Sequence, residues 1–211
     1  MEEHYSLSTD ELEALKELGN IGIGNAAIAL SKILDKKVNM SIPDTSFIPI
    51  TTFSDHFGGP DSIVMTIFSP ILGELSGETL FIFSQQSGKG LVDLMMGNEP
   101  GNTVNELDEM GESAFKEMAN IFVGTYLNAI SDMMNIKLLP GVPIVATDMV
   151  ESILNIFLLK NGEYADNILC SKANISIDGH KVDGDFIFLF DLESLQKIVK
   201  KIKESYGDLV N

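Results

Sequence analysis

The chain has no arginine: all 14 of its basic residues are lysine, set against 31 acidic ones. A net charge of −17 argues against nucleic acid or anionic membrane as a partner, since both demand cationic patches. Missing arginine also removes the bidentate phosphate clamp and the arginine finger that phosphoryl-transfer enzymes commonly supply. If such a chain handles phosphate, its partner brings the countercharge. Cysteine is nearly absent as well. Cys170, in NILCSKA, has no partner for an internal disulfide and reads as a buried thiol rather than a nucleophile. His4, His56 and His180 are scattered, so no metal-ligand spacing appears and no metal or cofactor bound by this chain is expected. No run approaches the ~18 apolar residues of a membrane span, so membrane insertion is not expected. The opening MEEHYSLSTDELEAL lacks the basic start and apolar core of a signal peptide, and a cytoplasmic location follows as the expectation.

What is present is a sequence written twice. Leu12–Pro43 and Glu112–Pro143 share ten identities in 32 positions at an offset of 100, against about two expected from ordinary usage. GETLFIF at Gly77–Phe83 is answered by GDFIFLF at Gly184–Phe190, so the second half has gained about seven residues, placed here in a longer hairpin tip around Lys160–Asn167. The 211 residues, 45% apolar, therefore read as one domain, 1–211, built from two repeats at about 8–97 and 104–206. Each repeat should open with a long helix marked by a capping box, Ser8 with Glu11 and Thr103 with Glu106. Leu12, Leu15, Ile23, Ala26, Leu30 and Ile33 form an apolar stripe at helical period, matched by Phe115, Val123, Tyr126, Ile130 and Met133. Extended runs ending at Pro43 and Pro143 follow, then strands at SIVMTIFS, LSGETLFIFS, SILNIFLLK, NILCSKANISI and GDFIFLFD. Short helices at QSGKGLVDLMMG and LESLQKIVKKIKESYG close the halves, and MGNEPGNTVNE links them. One half has too few strands to stand alone. The expected fold is of the α/β class, α+β type, with a pseudo-twofold repeat and two long helices packed on one shared, mainly antiparallel sheet.

On a helix, Glu13, Glu17, Asn20 and Gly24 fall within an arc of about 60°, away from the apolar stripe. Ser113, Glu117, Asn120 and Gly124 take the same arc in the second copy. A single such face is ordinarily just solvated. Asparagine, however, is a mediocre helix former, and an exposed one kept in both copies while its neighbours drift asks for a reason beyond structure. Glycine inside a helix costs about 1 kcal/mol relative to alanine. Gly24 and Gly124 fit either a close approach to that surface or tight packing between the two helices.

These stretches resemble the paired signatures of the CheC/CheX/FliY family, phosphatases of phosphorylated CheY. That signature is Asp or Ser, three residues, Glu, two residues, Asn, twenty-two residues, Pro. Ser113, Glu117, Asn120 and Pro143 meet it in full; Glu17, Asn20 and Pro43 meet it with Glu13 in the Asp/Ser place. Two signatures with no added flagellar-switch domain is the pattern of the CheC-type members. The resemblance implies that Asn20 and Asn120 orient a water for in-line attack on the aspartyl phosphate, while Glu17 and Glu117 dock a receiver lysine. Gly24, Ser113 and Gly124 would then belong to the binding face. It also implies Mg²⁺ carried by the CheY substrate and a second partner, the deamidase CheD. Water-orienting chemistry suits an amide, which both donates and accepts without being a strong base. A non-catalytic adaptor that sequesters CheY or CheD is the competing reading. Glu13 adds a carboxylate to the first site, which predicts weaker docking there.

Overall fold

Helix α1 (Thr9–Leu34) starts where the capping box places it. Glu11 N–H donates to the Ser8 hydroxyl, and Ser8 N–H donates back to the Glu11 carboxylate at 2.7 Å. The computed structural model describes residues 7–103, 106–160 and 167–207. Elements α2 (Phe53–His56) and α3 (Gln85–Met95) follow in the first half, and the second long helix, α4, spans Glu109–Met134. Its cap differs from the expectation. Asp108 accepts from Gly111 N–H at 2.8 Å, while Thr103 turns away to donate its amide and hydroxyl to the buried Asp93 carboxylate. Thr103 thus pins the linker and caps nothing; residues 104 and 105 of that stretch lie outside the described ones.

Both long helices end alike. Asp35 and Asn135 adopt the left-handed conformation, with φ 49° and 48°. One turn earlier, Ser31 and Ser131 accept from the amides of Val38 and Leu138 at 3.0 and 3.2 Å, fixing how the next strand leaves. That repeated serine therefore has a structural role. The stripe residues are buried or half-buried, except that Ile33 and Met133 are 60% and 37% exposed. At the last turn the inward position has drifted one residue on, to Leu34 and the buried Met134.

Among the described residues seven strands form one sheet: β1 (Val38–Pro49), β2 (Ile63–Gly73), β3 (Gly77–Ser84), β4 (Leu138–Pro140), β5 (Ile144–Met149), β6 (Asn167–Ile177) and β7 (His180–Phe190). The order is β1-β6-β7-β3-β2-β4, with β5 sharing the β2 edge with β4, and every pair is antiparallel. Strands of the two halves interleave, as the shared-sheet expectation requires. SILNIFLLK is not a strand but lies within helix α5 (Val150–Lys160), since a short apolar run fits a buried helix as well as a strand. The expected hairpin tip consequently joins α5 to β6, and its residues 161–166 lie outside the described ones. The chain of described residues closes with α6 (Leu192–Gly207).

Strand periodicity splits the core. Phe81, Phe83, Phe186, Phe188 and Phe190 face α1 and α4, with Phe122 of α4 edge-on to Phe81 at 4.2 Å between ring centres. Leu80, Ile82, Ile187, Leu189 and Cys170 face the other way, under Phe53, Val150 and Ile153 of α2 and α5. Both faces are covered, so β3 and β7 read as continuous apolar runs rather than alternating ones. Close packing of the long helices rests on Gly22, where an added Cβ would meet the Tyr126 ring at 2.5 Å.

Candidate functional site

The repeated face is real on both helices, but the two copies are not in the same state. Glu13, Glu17, Ser113, Glu117 and Asn120 are exposed; Asn20, Gly24 and Gly124 are half-buried. Around Gly24 an added Cβ meets nothing within 4 Å, and at Gly124 it meets only Pro140 at 3.9 Å. Packing between the helices therefore does not explain these two glycines. Gly22, with no glycine counterpart in the second copy, takes that role, while Gly19 leaves room chiefly for Ile42 of the strand that follows α1.

Asn20 is not a free surface amide. Its Nδ2 donates to Lys16 O at 3.1 Å and to Ile42 O at 3.0 Å, and its Oδ1 accepts from Ile42 N–H at 2.8 Å. Two carbonyls and one N–H fix which way the amide points. Ile42 needs such a partner because β1 bulges there: Ser41 pairs with Asn174 and Asp44 with Lys172, leaving two residues facing one. Pro43, which lacks an N–H, sits in that bulge, where a proline costs no ladder bond. The asparagine side chain thus imitates a neighbouring strand for one residue. Both Nδ2 protons are consumed, and only one acceptor lone pair is left for a water.

Asn120 has no such neighbour. The chain after α4 breaks at Gly141–Pro143, where Gly141 N–H donates to Pro70 O at 2.7 Å and Val142 is 84% exposed. Among the described residues, the Asn120 amide makes no hydrogen bond. Asn120 is exposed, one turn beyond the exposed Glu117.

Charges on the face are lightly paired. Glu13 lies 3.3 Å from Lys16, and Glu112 lies 3.2 Å from Lys116, so the repeated lysines each lean towards a carboxylate one turn earlier. The extra carboxylate of the first copy is therefore partly offset within its own helix, which weakens the case for repulsion at that site.

A family model described as CheC-like matches residues 11–46 and 110–146, the two helices with the segments that follow them. Over 196 residues, 91% of this chain and 93% of the relative, the sequence is 29% identical to the CheY-P phosphatase CheC of Bacillus subtilis (strain 168). The chain thus resembles CheC-like proteins in both long helices and, at lower identity, over nearly its whole length. It is also 30% identical over 132 residues to the flagellar motor switch phosphatase FliY of that organism, covering 63% of this chain and 34% of FliY. In fold it matches the crystal structure of Thermotoga maritima FliY with a TM-score of 0.80 at 20% identity, across 95% of this chain and 100% of that one. The CheC-like signatures thus coincide with the exposed arcs of α1 and α4. No helix among the described residues is long and apolar enough to cross a membrane.

Elsewhere the fold gathers residues that sequence spacing kept apart. His56 of α2 reaches Cys170 of β6, Nε2 to Sγ, at 3.6 Å, and Asp185 of β7, Nε2 to Oδ1, at 3.5 Å. Cys170 is buried as expected, although a histidine does stand beside it. Burial, with the Asp185 carboxylate adding to it, pushes the thiol up to about 12, so it is no nucleophile at neutral pH. No sequence signal marked this cluster, because its members come from three separate elements.

Proposed function

We propose that this chain hydrolyses the aspartyl phosphate of a phosphorylated CheY-type receiver and that the α4 face is its principal site. The observation that carries this reading is the exposed Asn120 amide, without a hydrogen bond among the described residues, beside the exposed Glu117 of α4. Laid against a receiver's active site, Asn120 can accept from an attacking water and donate to the phosphoryl oxygens, holding the water in line. Glu117 supplies a carboxylate for a lysine of the receiver. Mg²⁺ and the remaining countercharge belong to the substrate, which suits a chain of net charge −17 without arginine.

On α1 the same chemistry has to compete with the fold. Releasing the Asn20 amide breaks three hydrogen bonds, each contributing about 0.5–1.5 kcal/mol net. A cost of 1.4 kcal/mol is already a factor of about ten. The first face therefore serves chiefly to dock a receiver and to hold β1, with Glu17 as its contact. CheD, brought in by the family resemblance, is the second proposed partner.

The test is the rate of phosphate loss from phosphorylated CheY with Mg²⁺, with and without the purified protein. Acceleration that disappears in the Asn20→Ala/Asn120→Ala double variant supports the reading. Binding of phosphorylated CheY with no acceleration would instead make the chain a sequestering adaptor.

A further inference from the structure

We infer that His56, Cys170 and Asp185 form a mononuclear Zn²⁺ site on the face of the sheet opposite α1 and α4. The ligand atoms Nε2, Sγ and Oδ1 all lie within 4.8 Å of one another. Tetrahedral zinc with Zn–S of about 2.3 Å and Zn–N and Zn–O of about 2.0–2.1 Å has S···N edges of about 3.6 Å and N···O edges of about 3.4 Å. The observed separations are 3.6 and 3.5 Å. Two edges of the cluster thus match a coordination tetrahedron, and the third, between the thiol and the carboxylate, closes within 4.8 Å.

Two ordinary readings of the cluster fail on its geometry. A Cys-His-Asp relay needs the sulfur on one imidazole nitrogen and the carboxylate on the other, whereas here both converge on Nε2. Simple hydrogen bonding fails too. One imidazole nitrogen carries either a single proton or a single lone pair, so it serves only one of the two neighbours. Asp185 Oδ1 is buried, and its approach to His56 Nε2 at 3.5 Å is an ion-pair distance that leaves it without a well-formed hydrogen bond among the described residues. A buried carboxylate oxygen left in that state is costly, and a divalent cation at the centre of the cluster supplies what it lacks.

Donor chemistry selects the metal class. Thiolate, imidazole and carboxylate together suit Zn²⁺, while Mg²⁺ and Ca²⁺ avoid sulfur. The thiol proton leaves on binding, and thiolate with carboxylate balances the dication. Lys172, paired across the strands with Asp185, opposes the charge, and Asp183 and Asp44 nearby favour it. Access is open, since the His56 side chain is 26% exposed at the rim of a groove lined by Phe57, Ser62, Lys172 and Asp183. Three protein ligands are one short of a closed tetrahedral site, the arrangement of a zinc that keeps a water ligand. Such a site replaces the expectation, drawn from sequence spacing alone, that the chain holds no metal.

Co²⁺ is the probe, because it takes zinc's geometry and reports a bound thiolate by an intense near-ultraviolet charge-transfer absorption. The chain has one cysteine, so such a band can arise only from Cys170. One Co²⁺ per chain is expected, with that band and with displacement by one equivalent of Zn²⁺. His56→Gln, a change at the partly exposed corner, should abolish the band and weaken Zn²⁺ binding at least about tenfold while phosphate release stays unchanged. Zn²⁺ should raise the melting temperature of the parent protein and not that of the variant. Co²⁺ bound without the charge-transfer band would assign it to the acidic surface and overturn the site. A band and affinity that survive His56→Gln would overturn it equally.

Discussion

After α1 the chain runs on as one strand past Pro43, whereas after α4 it breaks at Gly141–Pro143, and the two asparagines inherit that difference. Asn20 spends its amide on Ile42; Asn120 keeps its own free among the described residues. Identical residues at equivalent helical positions thus do different things, because what lies beside a helix is decided by the strand that follows it. Two like stretches can share a motif, yet the strand beside each one determines whether its asparagine stays available.

The largest effect should come from setting the asparagines against each other. Asn120→Ala is expected to slow phosphate release on the order of 10²-fold, as loss of water positioning does, with a melting temperature like the parent's. Asn20→Ala should do the reverse, keeping most activity but losing about 1–3 kcal/mol by stranding the Ile42 backbone groups. In a chain of this size that is about 2–4 °C of melting temperature per kcal/mol. Swapped phenotypes, measured by phosphate release and thermal melts on the same preparations, would break the comparison.

Next come the glycines. Gly22→Ala should destabilise by about 1–3 kcal/mol, since its Cβ meets the Tyr126 ring, whereas Gly24→Ala should be neutral or stabilising by up to about 1 kcal/mol. If the Gly24 and Gly124 surface is where a receiver approaches, alanine there should raise KM without affecting the melt. An unchanged KM in both variants removes these glycines from the interface.

Smaller effects belong to the charges. Glu117→Ala should raise KM a few-fold with kcat nearly constant, and Glu13→Ser should change KM less than that, because Lys16 already offsets Glu13. A larger effect from Glu13→Ser would restore repulsion as the reason the sites differ. The smallest effect tests the linker, where Thr103 departs from its counterpart Ser8. Burial acts to raise the Asp93 carboxyl, but hydrogen bonds from Thr103, Gly101 and Asn102 outweigh it and hold it below the ordinary value. A group depressed in the folded state stabilises above its unfolded value, near pH 3.9, and that contribution is lost as pH falls through the lower folded value. Asp93→Asn should flatten this acid limb of the melting curve, and an unaltered limb would show that the linker turn does not depend on the charge.

The two long helices, the α1 capping box, the paired Glu-x-x-Asn arcs and most of the apolar strands could be read from the residues in order. Periodicity, capping chemistry and internal identity are local properties, legible along the chain. Even locally, SILNIFLLK was ambiguous, because a short apolar run is compatible with either period. Packing between distant segments is what makes Asn20 hydrogen-bonded and leaves Asn120 without a bond among the described residues, sets the helix contact at Gly22 rather than Gly24, and brings His56, Cys170 and Asp185 together. Each of those depends on which atoms from distant segments come within about 3 Å of a side chain, the range over which a hydrogen bond forms. A bulge at Ile42 or a break at Val142 moves backbone groups by about that much, and nothing in the residues of a helix reports it.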